Sequence, residues 1–178
     1  RMGLNVTSYE PDPVHVSLLT DHLVANDVRD LVTVVQAAVA RENGVIDFVR
    51  VVGNTTGSHV VGAKKDPYGE LEVFDVNAVN VAEAISGRDF VKMDVEGLEA
   101  DLLTSLDAGQ FTSLDMVCEV GTPANAEIIW NHFKGSEVNL FSQKRGWARV
   151  NELNDMPRSY KEGSLFLSCM DEMPWNAL

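Results

Sequence analysis

The chain has 178 residues, 45% hydrophobic, 23% charged and 7% aromatic, which excludes collagen-like, low-complexity and disordered classes and fits one globular domain. Its 14 Lys and Arg stand against 27 Asp and Glu, a formal charge of −13. No basic cluster offsets that charge, so neither nucleic acid nor an anionic membrane is expected as a partner.

No apolar run approaches the ~20 residues of a membrane helix. The first residues, RMGLNV, lack the apolar stretch and small-residue cleavage site of a secretory signal. The two cysteines, Cys118 and Cys169, lie inside apolar runs and read as buried, reduced thiols, so the expected compartment is the cytoplasm.

In chain order, a β-rich run from Asn5 to Tyr9 ends at Glu10, where Pro11 and Pro13 stop the strand. Asp12-Pro13 opens a helix with Val16, Leu19 and Leu23 at apolar spacing. Residues 31–39, LVTVVQAAV, form a nearly continuous apolar run, the pattern of a strand buried on both faces. Gly44–Val52 reads as a strand, Gly53–Ser58 as a loop, and Lys64–Gly69 as a turn before a short strand, Leu71–Val76; together these suggest an inserted antiparallel hairpin. A short helix is expected at Val79–Ile85, closed by Gly87.

Phe90–Met93 is the next strand, Asp94–Gly97 a turn, and Leu98, Leu102 and Leu106 one stripe of a helix. A strand at Leu114–Glu119, a helix at Ala124–Phe133 and a strand at Val138–Ser142 follow. Gln143–Asp155 is polar and irregular, and Gly163–Cys169 is the last strand. Strand and helix alternate, which predicts βαβ units: an α/β fold with a mainly parallel sheet and helices on both faces. One domain is expected over residues 1–170, with 171–178 as a tail or a contact for a partner subunit in a homodimer.

Ligands of an open parallel sheet lie beyond the carboxyl ends of its strands. Glu10, Gln36, Asp94 and Glu96 fall there on this map. A carboxylate at Glu10 suits a ribose diol, or else stabilises the dipole of the following helix. Asp94 and Glu96 suit a general base, a substrate anchor or a divalent cation, or, with Glu99 and Asp101, the start of a helix. His59 offers acid–base chemistry near neutral pH, or is an exposed loop residue. His15 and His22 share a helix face without a ligand partner at metal spacing, and no phosphate loop, nucleophile elbow or zinc pattern occurs.

The segments SYEPDP, NTTGSH and above all VKMDVEGLEADLL resemble the FkbM-type S-adenosylmethionine-dependent methyltransferases, over roughly Val6 to Cys169. In that family an aromatic-Glu-Pro-x-Pro turn follows the second strand of a Rossmann-like class I methyltransferase sheet, and a K-x-D-x-E-G-x-E turn follows the fourth. Cys118–Val120 falls where the family's fifth strand ends. The resemblance implies S-adenosylmethionine as cofactor, with Glu10 on its ribose hydroxyls and Gln36 and Ala37 along its adenine. Asp94 would sit at its methionine end and Glu96 beside the acceptor hydroxyl. Asn54, Ser58 and His59 would belong to the loop facing the acceptor, a hydroxyl of a sugar or secondary-metabolite-like small molecule. Asp94, Glu96 and His59 are the candidate bases, and a divalent metal at Asp94 and Glu96 stays open. The family's first strand and glycine-rich turn have no counterpart here, so the expected sheet lacks that strand and the chain is expected to be a portion of a longer protein. A non-catalytic module of the same fold, kept for binding or dimerisation, is the alternative.

Overall fold

The computed structural model describes residues 3–53, 57–63 and 69–174. They group into two compact units, residues 1–80 and 81–178.

In the first unit, strand β1 (Val6–Tyr9) runs into helix α1 (Pro13–Ala25) and then strand β2 (Val32–Val35). Pro13 occupies the first turn, where its missing N–H costs nothing, and the Asp12 carboxylate accepts the Val14 N–H at 2.8 Å as the N-cap. The chain turns sharply after β2, with the Ala37 N–H bonded to the Val35 carbonyl, and continues as β3 (Ala38–Ala40). Strands β4 (Gly44–Val51), β5 (His59–Val60) and β6 (Leu71–Asn80) complete the unit.

Two sheets result. β1 pairs with β2 in parallel, and a four-stranded sheet has the order β3-β6-β4-β5. The second sheet is mixed, with β3 parallel to β6 and β4 antiparallel to both β5 and β6. Its core is Ala38, Phe48 and Val76 with Ile46, Val60 and Phe74 against them, and the Phe48 and Phe74 rings meet edge-on at 5.8 Å.

One ion pair ties helix to sheet in this unit. Asp12 is fully buried. Its two oxygens accept from Arg50 Nη2 at 2.6 Å and Nε at 2.7 Å. Arg50 also donates to Glu72, its cross-strand partner on β6, and lies 4.8 Å over the Phe74 ring.

The second unit begins with a short helix, α2 (Val81–Ile85), followed by β7 (Phe90–Met93), α3 (Glu99–Leu103) and β8 (Asp115–Glu119). Helix α4 (Pro123–Phe133) starts at Thr122, whose hydroxyl accepts the Asn125 N–H. Strands β9 (Asn139–Ser142), β10 (Ala148–Arg149) and β11 (Ser164–Ser168) complete a five-stranded sheet of order β10-β9-β11-β8-β7. Only the β7–β8 pair is parallel; β11 is antiparallel to both neighbours and β10 to β9. Leu102, Leu106, Met116, Ile129, Leu165 and Leu167 are inaccessible to solvent. Met173 packs with Phe141 and Phe166, so the start of the expected tail belongs to this core.

The expected mainly parallel Rossmann-like sheet is therefore wrong. Three strand pairings among the described residues are parallel and five are antiparallel. Helix cover is thinner than expected as well, because α2 and α3 have five residues each. A continuous apolar run reports burial on both faces, as at β11, but carries no information on strand direction. The run at 31–39 is not one strand but two, broken at Gln36-Ala37. The expected short strand at 71–76 continues to Asn80 and displaces the start of the following helix to Val81. Cys118 is buried as expected, whereas Cys169 is only partly so. The expected turn at Lys64–Gly69 lies mostly outside the described residues. Among the described residues no helix is long and apolar enough to cross a membrane.

The Asp12 pair sets an acid limit on the first unit. Burial alone would raise its carboxyl, but hydrogen bonds from Arg50 and Val14 and the charges of His15 and Arg50 hold it below the usual value. A carboxyl lowered in the folded state stabilises fully above its unfolded pKa, and that contribution disappears as pH falls through the lowered folded value. Asp12→Asn should therefore flatten the acid limb of a urea-unfolding stability profile below about pH 4. An acid limb identical to the wild type would contradict the assignment.

Candidate functional site

The candidate residues fall into two groups, one in each unit. In the first unit the parallel register pairs Tyr9 with Val35, so Glu10 and Gln36 leave the same end of β1 and β2 side by side. The Glu10 N–H continues the ladder by donating to the Val35 carbonyl at 3.1 Å. Gln36 is exposed and Ala37 is buried, so only the first of these presents a side chain to solvent.

The Glu10 side chain is 28% exposed. Its Oε1 accepts the Asp12 N–H at 2.9 Å and lies 3.7 Å from His15 Nδ1. Oε2 has no hydrogen-bond partner among the described residues. Burial raises the Glu10 carboxyl above its ordinary value, and the Asp12 N–H and the His15 charge oppose that rise.

The residues expected in the acceptor loop are placed differently. Asn54 lies outside the described residues. Ser58 is half-buried, and its Oγ accepts the Val51 N–H at 3.3 Å. His59 is not a loop residue: it sits in β5 opposite Val49, is 2% exposed, and its Nδ1 lies 2.8 Å from the Gly57 carbonyl oxygen. Packed this way, its ring has almost no surface from which to take a proton from a substrate.

In the second unit the second group occupies the turn that leaves β7. Asp94 is exposed and paired with Lys92 Nζ at 2.7 Å. Glu96 is half-buried and holds a left-handed backbone at φ +54°, followed by Gly97 at φ +113°. Glu99 is fully buried and fixes this turn: its carboxylate accepts the Val95 N–H at 3.2 Å and the Gly97 N–H at 3.1 Å. Burial pushes the Glu99 carboxyl up, and those N–H groups oppose the rise. Asn125 of α4 donates to the Gly97 carbonyl from the other side. Among the described residues no three His, Cys, Asp or Glu side chains are grouped to hold a metal ion.

Tyr160 joins this group without any sequence signal. A Cβ at Gly121, just past the end of β8, would lie 2.3 Å from Tyr160 Cζ and 2.5 Å from its hydroxyl oxygen. The tip of the phenol thus rests on the Gly121 backbone. Burial, and then the charges of Glu99, Glu96, Glu119 and Asp94, push the phenol up to about 12, so it stays protonated at neutral pH and can donate a hydrogen bond. Glu99 was legible as the last acidic residue of K-x-D-x-E-G-x-E, and its burial was not.

Gly121→Ala should displace the Tyr160 ring and cost about 1–3 kcal/mol of stability. The double variant Gly121→Ala/Tyr160→Ala should lose clearly less than the sum of the two single changes in urea unfolding. Strict additivity would show that the ring does not lie on Gly121. No family model, no curated protein and no solved structure matches the chain.

Proposed function

We propose that the chain acts in methyl transfer from S-adenosylmethionine to a hydroxyl of a sugar or secondary-metabolite-like small molecule. The observation that carries this reading is the placement of Glu10 and Gln36 together at the ends of β1 and β2, with one Glu10 oxygen that has no hydrogen-bond partner among the described residues. A half-exposed carboxylate with an open acceptor fits a vicinal diol such as a ribose, and the neighbouring Gln36 amide fits the edge of a purine. The likeness of SYEPDP and VKMDVEGLEADLL to the FkbM-type enzymes supports the same assignment.

S-adenosylmethionine supplies an electrophilic methyl group, which an acceptor oxygen takes in line as the C–S bond breaks. The chain has to bind the ribose and adenine, through Glu10 and Gln36, and to orient the acceptor. Deprotonation of the acceptor hydroxyl needs a general base, the role that the sequence resemblance gives to Asp94, Glu96 or His59. Of these, Asp94 is paired with Lys92 Nζ at 2.7 Å. His59, buried in β5, has no part in that step. A net charge of −13 disfavours nucleic-acid acceptors, and two free thiols, Cys118 and Cys169, support a reducing, cytoplasmic setting.

Calorimetric titration of the chain with S-adenosylhomocysteine tests the reading, with one-to-one binding in the micromolar range as the expected result. Glu10→Ala should weaken that binding by about 1.5–3 kcal/mol, the loss of charge-assisted hydrogen bonds to two hydroxyls. No binding by a folded chain would overturn the proposal in favour of a non-catalytic binding or dimerisation module.

A further inference from the structure

We propose that Arg50 is a positioning residue for the Glu10 carboxylate, acting on it through Asp12; this rests on the reading of Glu10 as a ligand-binding group. Arg50 stands on β4, forty residues from Glu10 in sequence, and makes no direct bond to it. It grips Asp12 with two nitrogens, at 2.6 and 2.7 Å. Asp12 in turn donates its own N–H to Glu10 Oε1 at 2.9 Å and caps α1 through Val14. Arg50 therefore fixes both the place of the Asp12 N–H and the entry angle of the helix, and those two features decide where Glu10 points. Glu10 Oε1 is held by this relay, and Oε2 takes no hydrogen bond from the described residues.

The relay also has an electrostatic side. Glu10 and Asp12 are carboxylates two residues apart, and the Asp12 charge disfavours the ionised form of Glu10. With Arg50 bound to Asp12 and Glu72, the Asp12 charge is compensated. The ionised form of Glu10, the form that accepts from two hydroxyls most strongly, is then opposed less by its neighbour. Among the described residues, the charged and titratable groups placed about Glu10 are Tyr9 at the end of β1, Asp12 and His15 at the start of α1, and Arg50 on β4 and Glu72 on β6 behind Asp12; the residue that follows β2 is the neutral Gln36.

The test is an NMR pH titration of the Glu10 carboxyl in chain labelled with ¹³C at glutamate side chains, the signal being assigned with Glu10→Gln. Arg50→Gln should raise the Glu10 midpoint by about one pH unit, because Asp12 is left uncompensated beside it. Arg50→Lys should raise it less, since a point charge replaces a fork. The double variant Asp12→Asn/Arg50→Gln should bring it back near the wild-type value. In parallel, S-adenosylhomocysteine affinity should fall about tenfold in Arg50→Gln and recover in part with Arg50→Lys.

A folded Arg50→Gln with an unmoved Glu10 midpoint overturns the proposal, and so does a moved midpoint with unchanged ligand affinity. If Arg50→Gln does not fold, Arg50→Lys and the double variant decide on the same readout. Wild-type chain that binds no S-adenosylhomocysteine overturns the methyltransferase reading instead, while the titration still decides the link between Arg50 and Glu10.

Discussion

A carboxylate with no access to water is sustainable only if its charge and its lone pairs are met by the protein. Asp12 is such a group, and the first unit is organised by how it is met. One oxygen accepts from Arg50 and from the first turn of α1, the other from Arg50 alone. Helix α1 is thereby held to the β4–β6 pair at one point, where its N-terminus leaves β1. The prolines at 11 and 13 narrow the backbone on either side of that point. Arg50 is itself confined by Glu72 and by the Phe74 face. The turn that carries Glu10 is thus fixed by contacts that, among the described residues, engage only one of its two oxygens.

The second unit repeats the device with different parts. Glu99 is the buried carboxylate, and backbone N–H groups of Val95 and Gly97 take the place of a guanidinium. Those bonds hold Glu96 and Gly97 in left-handed conformations, which Glu96 adopts at some cost as a residue with a Cβ. Asp94 and Glu96 consequently sit on a turn whose backbone is hydrogen-bonded to a buried carboxylate. In each unit a fully buried acid lies two to three positions after a partly exposed glutamate, Asp12 after Glu10 and Glu99 after Glu96, and fixes the turn that carries it.

Much of this was legible in the sequence, and the parts that were not share a cause. Pro13 after Asp12 marked the start of α1, and the polar residues closing β1, β2 and β7 marked the strand ends. Strand direction was hidden, because apolar continuity in a run such as SLFLS records only that both faces are covered. Sheet membership was hidden as well: nothing local announces that the chain breaks at Gln36-Ala37 and passes from one sheet to another. His59 looked like a loop base because the Gly- and Thr-rich residues before it end without a marker. Asp12, Arg50 and Tyr160 act through contacts 38 or more residues away in sequence, beyond the reach of any local pattern.

The central claim, that the Asp12–Arg50 pair holds the Glu10 turn against the sheet, is tested most directly by a double-mutant cycle of Asp12→Asn and Arg50→Gln. Native-state hydrogen exchange at the β4–β6 amides gives the stability of that unit in each variant. A coupling of about 2–3 kcal/mol is predicted, toward the lower end for a buried pair because Arg50 keeps 21% of its side-chain surface in water and retains Glu72 as a partner. Coupling within about 0.5 kcal/mol of zero would mean that the two side chains act independently, and the account of how Glu10 is positioned would fail with it.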